Sequence, residues 1–448
     1  MTDTTSIRDI PSRPPADPEA LPGLTDLLEF PLLAALTGRR ARRFALGDIV
    51  PDGPLAFASR HEPVPLSDTE RLLVLSAAGG NTGWHYMITR NASYAPHLPN
   101  YGLAAGGRTF PSAAGFHTTE LFFTDDSGTY VFPTRDAPAL VEPGGDGSVD
   151  VESWVEAHRS RIRRLGDDRL HLPREEPYIE GHNAWSANVP GSLLVIPVAD
   201  VAQHLIAALC YWTQNGACIY DDVHGTGVPG IEQFRDLVDV DNPYPLSFAE
   251  QACLTEATVE LATSCYAGVL ALQAMGLGGW MFDGLDPFSV LGASGDPEVP
   301  GLGFRYDTDE RWPLPRVTGL PGVFEGHTPP HHQDMSAAVA AVVERKFGHG
   351  GPFNAGTPGP WTESAAVRSA AQPHSPEFTA CVAHQAQYVL DRFGKFPATV
   401  PAIHVLMYLQ AHHLDLDFYD HHFGPGAYLG THANHMARWH PEPGSSGT

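Results

Sequence analysis

One long apolar segment near the middle of the chain constrains the fold most. Residues 246–279 read LSFAEQACLTEATVELATSCYAGVLALQAMGLGG, which places apolar side chains on nearly every side of a helix before a glycine-rich end. A helix that is apolar all round is buried all round. We therefore expect this helix at the centre of a large fold or of a dimer.

Composition and charge exclude several classes of protein. The 448 residues are 42% hydrophobic and 10% aromatic, as in a globular protein with one large domain and extensions, or with two domains. No apolar run approaches the roughly 20 residues of a membrane helix. The net charge of −25 repels nucleic acid and anionic membranes, so we expect neither as a partner.

The termini and the cysteines favour a cytoplasmic protein. Residues 1–24 are rich in Pro, Asp and Ser and lack a basic region followed by an apolar one, which predicts a flexible N-terminal arm and no secretory signal. The cysteines are few and without CxxC spacing, which predicts free buried thiols in a reducing compartment. They are Cys210, Cys218, Cys253, Cys265 and Cys381.

Local patterns predict a mixed α+β protein. A helix over 25–37 is expected to kink at Pro31, and a second helix begins with a capping box formed by Ser67 and Glu70. Residues 120–132 predict a β-hairpin and 192–198 a buried strand. Helices are expected at 201–212, 336–348 and 375–394. These elements suggest an α+β domain over 25–325 and a helical C-terminal extension over 326–448.

Four arginines follow the first predicted helix. In a chain with 52 acidic residues, Arg39, Arg40, Arg42 and Arg43 form a local basic cluster. On a helical turn, Arg39 and Arg43 share a face and could hold one phosphate by charge-assisted hydrogen bonds. A solvated basic patch is the alternative.

Two further stretches bring small residues together. The turn PSAAG at 111–115 precedes an apolar strand, and its small side chains would let a planar ligand approach the backbone. The long helix ends at Gly276-Leu277-Gly278-Gly279. An ordinary tight turn and an ordinary glycine helix end remain the alternative interpretations.

In this order the stretches RRARR, RTFPSAAGFHTTELFF, LALQAMGLGG and VTGLPG resemble the nitroreductase superfamily, most closely its azoline dehydrogenases, which form thiazoles and oxazoles in modified peptides. The resemblance covers about residues 30–325. It implies a homodimer that binds FMN, with a central, mainly antiparallel sheet flanked by long helices. It places no expectation on the His-rich residues 326–448.

The resemblance also implies the cofactor contacts. Arg39, Arg40 and Arg43 would hold the FMN phosphate or ribityl chain. The flavin ring would lie beside Pro111, Ser112 and Ala113. The chain would also pass close to the ring at Gly276, Leu277 and Gly278. Ala41 stands where the family usually has serine, which removes one phosphate contact. Phe116-His117 replaces the usual Leu-Tyr and puts the substrate side in doubt.

The expected chemistry is hydride transfer through flavin N5, with NAD(P)H as a candidate reductant. His117 is the catalytic candidate, and Asn81, Trp84 and Tyr86 are candidates for the wall of the substrate pocket, although core packing explains the two aromatic residues equally well. The substrate would be a small molecule or derived from a peptide.

The histidines of the C-terminal part support a rival interpretation. His432 and His435 are spaced i,i+3 and could bind one metal ion with Asp415, Asp417 or Asp420. No HExxH motif is present, so we assign no metal ligand and favour hydrogen-bonded histidines or a polar lid. A metal-dependent enzyme and a non-catalytic binding protein remain the alternatives to a flavin-dependent oxidoreductase.

Overall fold

The structure is a computed structural model that describes residues 22–87, 100–135 and 150–441. Its helices confirm the segments predicted from local pattern, including the break at Pro31 and the capping box of Ser67 and Glu70. The predicted arm falls outside the described residues up to position 21, and the first helix already begins at Pro22. The helices are α1 Pro22–Glu29, α2 Leu32–Gly38, α3 Asp68–Gly79, α4 Val151–Arg159, α5 Val201–Gln214, α6 Leu246–Met275, α7 Pro287–Leu291, α8 Met335–Phe347, α9 Ser364–Ser369, α10 Pro376–Phe393, α11 Leu416–His422, α12 Gly430–Ala433 and α13 His435–Trp439.

The strands form one large antiparallel sheet and several small ones. The large sheet has the order β12-β17-β8-β5-β6-β7, and β16 also pairs with β8. The strands are β1 Ile49–Val50, β2 Phe57–Ala58, β3 Asn81–Trp84, β4 Gly106–Arg108, β5 Thr119–Asp125, β6 Gly128–Phe132, β7 Arg163–Gly166, β8 Leu193–Asp200, β9 Ile219–Asp221, β10 Thr226–Gly227, β11 Tyr244–Pro245, β12 Gly278–Phe282, β13 Arg305–Asp307, β14 Arg316–Leu320, β15 Phe324–Glu325, β16 Ile403–His404 and β17 Tyr408–His412.

Both faces of the large sheet are buried. Alternation along β5 sends Phe122 into an apolar cluster with Phe324 on one face, and Leu121 and Phe123 into a cluster with α3 and α6 on the other. This double burial explains why the strand sequences are apolar runs rather than alternating ones.

The C-terminal part corrects one expectation. Residues 326–448 are not only helical, because β17 lies inside the large sheet, where Gln410 pairs with Trp280 of β12 and with Leu194 of β8. The boundary expected at residue 325 therefore falls within one sheet. A five-residue strand carries too little periodicity to be recognised on its own.

The helix α6 spans 30 residues and ends at Gly276, which has the left-handed conformation expected of a glycine cap. Its burial is less complete than predicted, because Phe248 and Val259 are about half exposed in the single chain.

The described cysteines are all buried and free, as expected. No helix in the described ranges is both long and apolar enough to cross a membrane.

Candidate functional site

The arginine segment lies against the glycine-rich end of α6. Arg42 and Gly279 form an antiparallel bridge through two backbone hydrogen bonds, of 2.8 and 3.3 Å. The buried guanidinium of Arg42 donates to Gln273 Oε1 at 2.7 Å and to the carbonyls of Gly38 and Ala427. Arg42 is therefore a buried structural residue, and its hydrogen bonds fix the loop that carries the other arginines.

The glycines Gly276 and Gly278 allow close packing by the chain itself. A Cβ at Gly276 would lie 2.2 Å from the carbonyl oxygen of Thr431, and one at Gly278 would lie 2.7 Å from Nε2 of His412. Leu277 between them is fully buried in the core. The space beside these glycines is thus occupied by the C-terminal segment, and the predicted cofactor contacts of Gly276, Leu277 and Gly278 gain no support.

Arg40 and Arg43 line a cavity of about 560 Å³, which we call the arginine cavity. Arg39 is exposed and does not line it. The rest of the lining is largely aromatic, a composition that suits a flat ring with an anionic substituent. The lining residues are Arg40, Ala41, Arg42, Arg43, Phe44, Val50, Leu55, Trp185, Phe418, Tyr419, Phe423, Gly426 and Ala427.

Aromatic stacking positions Arg43. Its guanidinium lies 3.9 Å from the ring centre of Trp280 and 4.9 Å from that of Trp185, and Nη2 donates to Asn183 Oδ1 at 2.9 Å. Within the described residues, its buried Nε has no hydrogen-bond partner. Burial lowers the pKa of Arg43, although an arginine stays protonated in a protein. A fixed cation with an unused donor can bind an anion.

A second cavity of about 650 Å³ lies beside the PSAAG turn, and we call it the histidine cavity. It brings together the predicted residues Trp84, Tyr86, Pro111, Ser112 and His117. Ala113 and Asn81 do not line it; the backbone N–H of Asn81 binds His158 and its carbonyl accepts from Trp154. The lining residues are Thr82, Trp84, His85, Tyr86, Met87, Tyr101, Gly102, Gly107, Arg108, Thr109, Phe110, Pro111, Ser112, Ala114, Gly115, His117 and Phe353.

The turn that borders the histidine cavity has an unusual backbone. Ala114, Gly115 and His117 have φ angles of 49°, 68° and 49°. Left-handed conformations are costly for residues other than glycine and persist only where the surroundings impose them. The turn needs a strong anchor for this reason.

Glu260 of α6 provides that anchor. The carboxylate is fully buried and accepts hydrogen bonds from the Ser112 hydroxyl, from the Thr118 N–H at 3.1 Å and from the Thr119 hydroxyl at 2.7 Å. Ser112 in turn accepts from the His117 N–H at 2.9 Å. Glu260 therefore sets the position of His117, and it was missed from the sequence because it lies within an apolar helix.

His117 and His85 stack face to face, with ring centres 5.2 Å apart. Neither ring nitrogen of His117 has a hydrogen-bond partner among the described residues. Burial, with a contribution from Arg108, holds the pKa of His117 well below its usual value and lowers the pKa of His85 to about 4. Both imidazoles are therefore neutral near pH 7, and a ligand could hydrogen-bond to His117.

The two cavities are separate within one chain. The turn of the histidine cavity is bound to Glu260, and the arginine loop is bound to Gln273 of the same helix. These positions are 13 residues apart, or about 20 Å at 1.5 Å per residue. In the part of the chain that the structure describes, the cavities have no lining residue in common.

The histidine and aspartate set expected at the C-terminus is dispersed. Nδ1 of His432 accepts from the Leu429 N–H, and Asp415 caps α11. Asp417 pairs with Arg60, and Asp420 accepts from Tyr428. His435 instead forms a group of potential ligands with Glu70, His413 and His440, and Asp415 and Asp417 form another with His61. The alternative interpretation, in which His432, His435 and an aspartate bind one metal ion, therefore gains no support from the described residues.

Comparisons with known proteins add little. No family model and no curated protein matches this chain. A solved structure described as a "putative nitroreductase" from Ralstonia eutropha JMP134 is similar over 61% of this chain and 75% of its own, with 13% identity and a TM-score of 0.27. A similarity of this size carries no argument, so the function rests on the residues themselves.

Proposed function

We propose that this protein is a flavin-dependent oxidoreductase of the nitroreductase type, and that FMN binds in the arginine cavity. The observation that carries the proposal is the pairing of Arg40 and Arg43 with aromatic walls in one cavity of about 560 Å³. Pockets of about 300–1,000 Å³ suit a ligand of cofactor size. The sequence resemblance supplies the identity of the cofactor.

The residues present fit the cofactor in charge and in shape. Arg40 and Arg43 would bind the phosphate, because guanidinium groups form charge-assisted hydrogen bonds with phosphate oxygens. The rings of Phe44 and Phe418 stack with centres 4.2 Å apart, and Trp185 lies parallel to Phe44 within 27°. Because these rings pack on one another and Phe44 is buried, they would form an apolar wall that excludes water beside a flat ring. Ala41 lines the cavity without offering a hydroxyl.

FMN, when bound, supplies hydride exchange at N5. The contribution of the chain is to hold the cofactor, exclude water and present a substrate. We assign the substrate to the histidine cavity, where the neutral His117 can donate or accept one hydrogen bond and Trp84 and Tyr86 offer ring faces. The proposed substrate is an uncharged small molecule or a group on a peptide, with NAD(P)H as the proposed reductant when the protein acts as a reductase.

Hydride transfer requires reacting atoms about 3–3.5 Å apart. Because the two cavities are separate within one chain, we include a homodimer in the proposal, with the arginine cavity of one protomer facing the histidine cavity of its partner. Leu32 and Leu33 of α2, just before the arginines, are 66% and 73% exposed and offer apolar surface for such an interface. Light scattering of the purified chain should give twice the mass of one chain.

The test is the visible spectrum of the purified full chain and the mass of any ligand released by denaturation. We expect a flavin spectrum, FMN by mass, and bleaching under anaerobic conditions with NAD(P)H or with a substrate. A colourless protein that takes up no added FMN would contradict the proposal and favour a binding protein. A flavin that is released as riboflavin or FAD would contradict the assigned cofactor.

A further inference from the structure

Three histidines surround one buried carboxylate. Glu70 lies at the start of α3 and is fully buried. Its Oε1 is 2.8 Å from Nε2 of His435, 3.1 Å from Nε2 of His440 and 3.3 Å from Nε2 of His413. All four ligand atoms lie within 4.8 Å of one another. We call this group the Glu70 cluster.

Two of the imidazoles are oriented by their outer nitrogens. Nδ1 of His413 lies 2.8 Å from the Val64 carbonyl, and Nδ1 of His435 lies 2.8 Å from the Met275 carbonyl. A carbonyl only accepts hydrogen bonds, so each Nδ1 carries a proton, and in the neutral form of the ring the lone pair of Nε2 faces Glu70. Histidines that bind metal ions are commonly oriented in this way.

The inner nitrogens converge on one oxygen: Nε2 of His413 and Nε2 of His440 are within hydrogen-bonding distance of Glu70 Oε1, at 3.3 and 3.1 Å. Nε2 of His435 is buried and, within the described residues, makes no hydrogen bond despite its short distance to Glu70. A lone pair on Nε2 of His435 would repel the carboxylate oxygen that it faces. A cation among the four atoms would convert this repulsion into attraction.

The distances match a small tetrahedral site. Four ligands at 2.0–2.1 Å from a zinc ion are about 3.3 Å from one another. The three distances from Glu70 Oε1, 2.8 to 3.3 Å, are close to this value. The other oxygen of Glu70, Oε2, accepts from the Ser67 N–H at 2.6 Å, which fixes the carboxylate from outside the group.

We propose that Glu70, His413, His435 and His440 bind one divalent transition metal ion, of which Zn²⁺ is the best fit. Three imidazoles and one carboxylate complete a four-coordinate shell, which is typical of structural rather than catalytic zinc. The ion joins the start of α3, the end of β17 and the last described helix. The His413 carbonyl also accepts a hydrogen bond from the Leu46 N–H. The ion would therefore also stabilise the segment that follows Arg43 and Phe44 of the arginine cavity. This proposal is independent of the proposed function.

The experiment compares Zn²⁺ binding by the full chain and by three variants, each stripped with a chelator and titrated against a chromophoric competitor. Glu70→Gln keeps an acceptor for the Ser67 N–H and can donate to an imidazole, so it preserves the fold while removing the anionic ligand. His440→Ala removes a ligand that is 25% exposed. His349→Ala removes an exposed histidine outside the cluster and is the matched control.

The natural chain and His349→Ala should bind one Zn²⁺ per chain, and both should melt at a higher temperature when it is added. Glu70→Gln and His440→Ala should bind at least roughly 100-fold more weakly, since even changes around a metal site cost 10–100-fold. The proposal is overturned if the natural chain binds no Zn²⁺, as a group that only shares protons would, or if the two ligand variants bind as tightly as the control. Circular dichroism confirms that each variant is folded.

Discussion

The arginine cavity and the histidine cavity are similar in volume, about 560 and 650 Å³, but differ in the polar groups that they offer to a ligand. In the first, the guanidinium of Arg43 packs on the rings of Trp280 and Trp185, and its Nε has no hydrogen-bond partner among the residues that the structure describes. In the second, two stacked imidazoles are kept neutral by burial. The first is suited to an anion. In the second, the guanidinium of Arg108 donates to backbone carbonyls, so the imidazoles are the groups that can bind an uncharged ligand.

The supports of the two cavities differ as well. A buried guanidinium, that of Arg42, fixes the arginine loop, whereas a buried carboxylate, that of Glu260, fixes the turn of the histidine cavity; the partners of both are neutral. A buried charge is far more costly to leave unpaired than a neutral group. The comparison teaches that the arginine cavity should discriminate between ligands by their charge, and that the loss of Glu260 should destabilise the turn of the histidine cavity.

The largest effect is expected when the arginine cavity loses its charge. Arg40→Ala combined with Arg43→Ala removes two charge-assisted contacts of about 1.5–3 kcal/mol each, so FMN should bind at least roughly 100-fold more weakly. Fluorescence titration of the flavin measures this. Arg39→Ala is the matched control, because Arg39 does not line the cavity, and it should bind FMN normally. Equal losses in both proteins would contradict the assignment.

The support of the histidine cavity should be the next most sensitive feature. Glu260→Ala leaves the Ser112, Thr118 and Thr119 donors without their acceptor, and the free energy of unfolding should fall by about 3 kcal/mol. Denaturant unfolding gives this value. Gln251→Ala, at an exposed position of the same helix, should change it by less than about 0.5 kcal/mol. If Glu260→Ala lowers the free energy of unfolding by no more than Gln251→Ala does, Glu260 does not anchor the turn.

Near the arginine cavity, stability should fall as pH rises. Burial raises the pKa of Asp48 to about 6, so its charged form is disfavoured in the folded state. The folded protein retains the proton where the unfolded chain has lost it, so the free energy of unfolding drops between pH 4 and pH 6 and stays low above. Asp48→Asn should therefore be more stable by about 2 kcal/mol at pH 8, and similar near pH 4.

The control for this pH effect is Asp52→Asn, at an exposed position four residues further along the chain. Denaturant unfolding of both variants at pH 4 and pH 8 measures the difference. If the free energy of unfolding at pH 8 increases in both variants, or in neither, the burial of Asp48 does not destabilise the folded protein as expected.

The smallest effect on stability is expected in the histidine cavity. There the free energy of unfolding should fall as pH decreases, whereas the effect of Asp48 lowers it as pH increases. The pKa of His85 is lowered to about 4 by burial, so the unfolded chain binds a proton first as pH falls below about 6.5. The free energy of unfolding should decrease from pH 6.5 toward pH 4, and His85→Gln should remove about 1 kcal/mol of that decrease. His349→Gln should leave it unchanged. Thermal melts of both variants between pH 4 and pH 6.5 show whether His85 is neutral in the folded protein.

Local structure was largely predictable from the sequence, because short-range rules decide it. The capping box of Ser67 and Glu70, the helix break at Pro31 and the hairpin of β5 and β6 follow from neighbouring residues alone. The strand β17 was missed, because its place between β12 and β8 depends on pairing with residues over 100 positions away.

The candidate site was less predictable for the same reason. Trp84, Tyr86 and His117 could be singled out by residue type, but their separation from Arg40 and Arg43 depends on where α6 places each anchor. Glu260 gave no sequence signal beyond being a charge in an apolar helix. Glu70 was recognised as a capping residue, and nothing near it in the sequence indicates the three histidines over 340 positions later that surround it.

The central claim is that the arginine cavity holds the phosphate of a flavin, and the most direct measurement compares FMN with riboflavin, which lacks that phosphate. Titrated against the flavin-free natural chain, FMN should bind at least roughly 100-fold more tightly than riboflavin, and most of this preference should vanish in the combined Arg40→Ala and Arg43→Ala variant. Equal affinity of the natural chain for the two flavins would contradict the account.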